Sequence, residues 1–186
     1  MKRFIGFLLA ACVFAGLAMS PAQALNTDDF TISSFEADYH LSRTAEQMSQ
    51  LRVEEYITAQ FPETDQNHGI LRAISETYQG HPLSIKIDAV TDNAGNALQY
   101  KTSHENDNTV LKIGDPDTYV HGSQTYKITY TLLNVTQSFG DHDELYWDVN
   151  GTQWRQPFQK VVARLHVTDD VGVRLQERIQ CFRLSK

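Results

Sequence analysis

The sequence predicts an all-β chain, an antiparallel β-sandwich of immunoglobulin-like general architecture that follows an N-terminal signal helix. Three observations predict it. Runs with two-residue alternation recur, as in Thr125 to Leu132, where Tyr126, Ile128, Tyr130 and Leu132 alternate with Thr125, Lys127, Thr129 and Thr131. Clusters rich in Gly, Asn, Asp and Pro separate these runs. Beyond the leader, only Ser42 to Ser49 reads as a helical turn, and it is too short to form a layer.

The leader has the three parts of a secretory signal. Lys2 and Arg3 precede the apolar run FIGFLLAACVFAGLAM, and Ser20-Pro21-Ala22-Gln23-Ala24 ends it, so cleavage is expected after Ala24. A membrane anchor is the alternative, but a span takes about twenty apolar residues, and Pro21 before a small-x-small site favours cleavage. Leu9-Ala10-Ala11-Cys12 also resembles a lipobox. Cutting there would leave Val13 to Leu17 on the mature chain, so Cys12 reads better as one more small apolar residue of the signal core. The expected organisation is a signal peptide over 1–24 and a single extracytoplasmic domain over 25–186.

Removing 24 of the 186 residues leaves 162, enough for one domain with a substantial core. The cut takes two of the 16 basic residues and none of the 23 acidic ones, so the formal charge goes from −7 to −9. That sign repels phosphate backbones, and nucleic acid is not expected as a partner. Cys181 is then the only cysteine, so neither an internal disulfide nor a thiolate metal cage can form within the chain.

In chain order, Phe30 to Leu41 reads as the first strand, bulged where Ser33-Ser34 breaks the alternation. Arg52 to Phe61, Leu83 to Ala89 and Thr109 to Ile113 follow, rich in β-branched and aromatic residues. After Thr125 to Leu132 come Leu145 to Val149 and Lys160 to Val167, the latter with Val161, Ala163, Leu165 and Val167 set for the core. Val171 to Cys181 alternates again through Val173, Leu175, Ile179 and Cys181. Turn formers lie between them at Asp92 to Asn96, His104 to Asn108, Gly114 to Asp117, Gly140-Asp141 and Asn150 to Thr152. Many short strands at this spacing argue for a sandwich.

The linear signatures of zinc helices, C-x-x-C sites, nucleophile elbows, phosphate loops and dinucleotide folds are absent, and no catalytic residue is assigned. Asp141, Asp143 and Glu144 are the candidate metal ligands, because closely spaced carboxylates suit calcium. Their spacing departs from known calcium loops, however, and acidic turn formers on a solvated surface are the favoured account of them. Trp147, Trp154 and Arg155 form an aromatic and basic cluster that suits a glycan or peptide groove, although large aromatics more often fill or cap a sandwich core. His68 and the other histidines include candidates for a general base, because an imidazole in general can exchange protons near neutral pH, but no nucleophile stands at an activating spacing.

Three stretches carry a family resemblance: His68-Gly69-Ile70-Leu71-Arg72, LKIGDPDTYVHGSQTYKITYTL from Leu111, and FGDHDELYWDVNGTQW from Phe139. Together they resemble the domain of unknown function 2207, a family of predicted bacterial membrane proteins. The resemblance implies a signal peptide, an extracytoplasmic β-sandwich-like domain and then membrane helices. It brings no catalytic residues, only recurring positions: His68, Gly69, Arg72, Gly114, Gly140, Asp141, Glu144, Trp147 and Trp154. His68 and Arg72 join the candidate binding residues on this ground, with the glycines read as turn positions and the tryptophans as packing anchors. The family also leads to the expectation of a membrane helix, whereas no apolar run after residue 24 is long enough to span. A chain truncated at its C-terminus, with Cys181 the first half of a missing pair, is one account of that.

The expected function is that of a non-enzymatic cell-envelope module, exported and binding an envelope protein or polymer through loops or a sheet edge. The alternatives are an envelope hydrolase acting on wall polymer, with His68 and the Asp141 to Glu144 carboxylates brought together by the fold, and a calcium-stabilised structural domain.

Overall fold

A computed structural model of the chain describes residues 26–78, 80–168 and 171. The leader, Cys181 and all of the last expected strand but Val171 lie outside the described residues. The strands are β1 (Thr31–Arg43), β2 (Ser49–Phe61), β3 (Ile70–Ser75), β4 (Thr77–Tyr78), β5 (His81–Pro82), β6 (Ser84–Asp92), β7 (Tyr100–Glu105), β8 (Asn108–Ile113), β9 (Gly122–Leu133), β10 (Thr136–Ser138), β11 (Asp143–Leu145) and β12 (Val161–Val167). They form a five-stranded sheet in the order β12-β1-β2-β9-β6, a three-stranded sheet β3-β8-β7, and two small ribbons, β4-β5 and β10-β11.

The two larger sheets share one core. From the first come Phe35, Leu51, Ile57, Ile128 and Leu132, and from the second Ile70, Ile74, Leu111 and Ile113, all buried together. The alternation in β9 falls as expected, with Tyr126, Ile128, Tyr130 and Leu132 inward. In β1 the register slips between Ile32 and Ser34. This bulge is what lets Ile32 and then Phe35, Ala37 and Tyr39 all face the core, since an even and an odd position cannot share one face of an unbroken pleat.

Four expectations need correction. Ser42 to Ser49 is no helix: β1 runs to Arg43, β2 starts at Ser49, and the Met48 carbonyl accepts from the Thr44 N–H across a tight turn. Leu145 to Val149 is a strand only at its first residue. The sheet is not wholly antiparallel either, because β12 pairs parallel to β1, Phe35 opposite Val161 through Leu41 opposite Val167. Finally, Val161 and Leu165 are 45% and 48% exposed, because β12 is the outermost strand of its sheet. Val161, Ala163 and Leu165 extend the core row of β1 without being enclosed by it.

Charge ties β12 to its neighbour instead. Lys160 Nζ lies 2.6 Å and Arg164 Nη2 3.2 Å from the two Glu36 oxygens, while His166 Nε2 lies 2.8 Å from Asp38 Oδ1. The hydrogen bonds from Lys160 and Arg164 hold the Glu36 carboxyl down at about 2, against an ordinary 4.5. A carboxyl depressed in the folded state stabilises that state fully above its unfolded value, and the contribution fades as pH falls toward the folded value. The amides of β12 are therefore expected to lose exchange protection in acid between about pH 4.5 and pH 2, ahead of those in β9, with Glu36 itself titrating at the lower end by carboxyl NMR.

Candidate functional site

Two glycines set the entrance to the second sheet. Gly69 precedes β3 and Gly114 follows β8, with φ of 139° and 133°, a region in which only glycine is at ease. A Cβ on Gly69 would sit 1.9 Å from the Ile113 carbonyl oxygen, and one on Gly114 1.8 Å from that of His68. These are not simple turn positions. They let two backbones press together where β3 and β8 begin to pair.

Three residues beyond Gly69, on the inward face of the sheet, is a buried ion pair. Alternation along β3 sends Ile70, Arg72 and Ile74 inward, and along β2 it sends Val53, Glu55 and Ile57 inward to meet them. Arg72 and Glu55 are 2% and 0% exposed. Arg72 donates through Nε to Glu55 Oε2 at 2.8 Å and through Nη2 to Oε1 at 2.6 Å, and the Tyr130 hydroxyl donates to Oε1 at 2.7 Å. The third arm of the guanidinium donates to the Ala73 carbonyl. Burial alone would push Arg72 down, but the Glu55 carboxylate outweighs it and holds the guanidinium above its ordinary range. Burial, reinforced by the same carboxylate, raises the Tyr130 hydroxyl well above its usual value. Gly151 passes over this pair so closely that a Cβ there would lie 2.7 Å from Arg72 Nη1.

Above the pair, on the outer face of the three-stranded sheet, lies a recess of about 790 Å³. Its floor is made by Leu71, Ala73, Val110 and Lys112, the residues that alternate outward where Arg72 and Leu111 alternate inward. Leu71, the largest apolar side chain of the floor, is 60% exposed. One wall is the segment from Gln153 to Gln156, one end is Gln66 to Gly69, and the other is the Glu105–Asn108 hairpin turn, where Asn106 and Asp107 take positive φ.

The recess gathers some of the residues singled out from the sequence and leaves others apart. His68 lines it, with Nδ1 2.9 Å from the Thr118 carbonyl and its ring tilted at 32° to that of Tyr119, the centroids 4.3 Å apart. Arg155 lines it and pairs with Asp28 at 2.8 Å. Trp154 also borders it but is itself buried, donating its indole N–H to the Asn150 carbonyl at 2.8 Å and meeting Phe158 edge to face. Arg72 lies beneath the floor, and Trp147 packs against the core.

The acidic residues are elsewhere. Asp143 pairs with Arg43 at 3.1 Å, at the β1–β2 turn, and Asp141 bonds His142 at 2.8 Å. Among the described residues no three such groups converge to hold a metal ion. His68 follows the far end of β2 instead, where Asn67 accepts from Val120, so the length of this 13-residue strand separates it from Asp143. At about 3.3 Å per residue that is roughly 40 Å. The constellation needed for the hydrolase reading, His68 with the Asp141 to Glu144 carboxylates, is therefore not assembled.

Gln66, Asn67 and Glu55 were missed from the sequence. Glu55 left a signal, a charge standing in register between Val53 and Ile57 that answers Arg72 between Ile70 and Ile74. The two amides sit in a loop without periodicity and left none.

Solved structures of low similarity include leukotriene A4 hydrolase from Saccharomyces cerevisiae, 12% identical over 61% of this chain and 17% of that one, with a TM-score of 0.39. An M1 zinc metallopeptidase from Deinococcus radiodurans is 11% identical over 74% of this chain and 32% of that one, with a TM-score of 0.44. This chain thus spans a third or less of each, and likeness at this level says nothing about activity. No match was found among curated proteins. The family comparison is decisive by contrast, covering residues 31–177 and so nearly every strand, glycine and buried charge described above. The chain belongs to the family described as the N-terminal domain of predicted membrane proteins, DUF2207.

Proposed function

We propose that this chain is a non-enzymatic, extracytoplasmic module of the cell envelope that binds an envelope protein or polymer in the recess over β3 and β8. The observation that carries this reading is the recess itself: an exposed apolar floor centred on Leu71, walled by polar side chains and set on a sheet whose geometry is fixed from below by a buried ion pair. Binding sites of this kind combine apolar area with a few placed polar groups. The leader sequence supports export, and membership of a predicted membrane protein family supports placement at the envelope.

Capture from solubilised envelope tests this reading. The full chain is expected to retain one defined component, and Leu71→Arg, which puts a charge on the floor of an outward face, is expected to lose it while its circular dichroism stays unchanged. Equal capture by Leu71→Arg, or turnover of wall polymer by the unaltered protein, would overturn it.

A further inference from the structure

We propose that the recess takes an uncharged protein segment in extended conformation, which joins the second sheet as a new strand along the free edge of β3; the inference rests on the reading of the recess as a binding site. β3 pairs with β8 and ends the order β3-β8-β7, so its other side carries no strand among the described residues. The direction of its backbone groups follows from the register. Glu76 donates its N–H to the Asp107 carbonyl at 2.8 Å, and alternation back along the ladder makes Ile74 with Thr109, Arg72 with Leu111 and Ile70 with Ile113 the hydrogen-bonded pairs. The N–H and C=O groups of Leu71 and Ala73 therefore point away from β8, toward the open edge. The Ala73 carbonyl accepts from Arg72 Nη1 at 2.5 Å, on the side this direction requires.

An open edge is a template for pairing, and proteins commonly guard it with charge or a bulge. Of the strands that end the two larger sheets, β12 bears Arg164 and His166, β7 bears Lys101 and Glu105, and β6 bears Lys86 and Asp88 with a register slip between Ile87 and Ala89. β3 has neither device. Its one charge, Arg72, turns inward to Glu55, while Leu71 and Ala73 line the recess with the Gln153 to Gln156 segment as its wall. The fixed charges around the recess cancel, Asp28 against Arg155 at 2.8 Å and Lys112 and Glu105 contributing one of each sign, which favours a segment without net charge. Gly151 limits its length: a Cβ there would lie 3.5 Å from the Ala73 carbonyl oxygen, so the added strand stops at Ala73. Main-chain bonds along the edge supply affinity in such pairing, and the exposed Leu71 is left to select a side chain. A wall glycan is the less favoured occupant, because it has no regular row of donors and acceptors to match a strand edge.

The test uses the isotope-labelled full chain, with acetyl-Thr-Val-Thr-Val-Thr-amide as the peptide probe and chitotetraose as the glycan probe, followed by backbone amide exchange and methyl NMR. The saturating peptide is expected to slow exchange at Leu71 and Ala73 by about fivefold or more, the worth of one net hydrogen bond, and to leave Arg72, already bonded to β8, unchanged. Ala73→Pro, which removes an N–H that β8 does not use, is expected to weaken the peptide about two- to tenfold. The exchange result is read on the unaltered chain and stands whether or not that variant folds. Peptide that shifts the Leu71 methyls without slowing either amide makes a side-chain contact only, and would overturn the added strand. If chitotetraose shifts those methyls and the peptide does not, the inference falls and the binding reading stands. If neither does while Leu71→Arg still abolishes envelope capture, the inference falls again on its own. Slow exchange at Leu71 and Ala73 before any probe is added would show the edge already taken, by a second copy if dilution relieves it and by residues 172–186 if dilution does not, and would overturn it too.

Discussion

Arg72→Ala is expected to lower the stability of the folded chain by about 3–5 kcal/mol, the range for removing one partner of a buried ion pair. The cause is what remains. Glu55 is 0% exposed and would keep, among the described residues, only the Tyr130 hydroxyl as a donor. Urea denaturation measures the loss as a fall in midpoint at constant slope. The same physics predicts that the double variant Glu55→Leu, Arg72→Met recovers most of it, because two apolar side chains need no partner. If Arg72→Ala cost under about 1 kcal/mol, as a surface pair would, the buried pair would not be the anchor described here.

Gly69→Ala and Gly114→Ala are each expected to cost about 2–6 kcal/mol, combining about 1–3 kcal/mol for a backbone region closed to side chains with about 1–3 kcal/mol for overpacking. The added methyl carbon would stand 1.9 Å from the Ile113 carbonyl oxygen or 1.8 Å from that of His68, and the obstacle is backbone, which cannot rotate aside. Relief requires β3 and β8 to part at their paired end, Ile70 opposite Ile113. Hydrogen exchange is expected to show this as lost protection at Ile70 and Leu111 in either variant, with β9 less affected. Gly140→Ala serves as the comparison, since a Cβ there meets nothing within 4 Å, and it is expected to be close to neutral.

How legible this molecule was in its sequence varied by element. β9 and β2 were plain, because both faces of each strand differ in chemistry and the pleat sorts them. The bulge in β1 was visible as a break in that sorting. β7 was not, since Tyr100–Glu105 is exposed along its whole length and so has no hydrophobic period to read. β12 misled in the opposite direction. Its alternation is clean, yet a strand at the sheet edge can place apolar residues in register with the core and still leave them half exposed.

The site was harder to read for a related reason. Trp154 and Arg155 drew attention by residue type, and the segment they occupy does wall the recess, but its floor is Leu71, Ala73 and Val110, ordinary residues whose importance lies in facing outward. Arg72 stood out as a recurring position without a role. Its role needed a partner on another strand, and only the pairing of β2 against β9, with β3 opposite, brings Glu55 to it.

The measurement that bears most directly on the recess as the binding site is amide hydrogen exchange on the full chain, with and without the envelope component it captures. Slowed exchange confined to Gln66 through Ala73, Val110 through Lys112 and Gln153 through Gln156 is the predicted result. Protection centred on Asp141 through Leu145, at the opposite end of the sandwich, would contradict it.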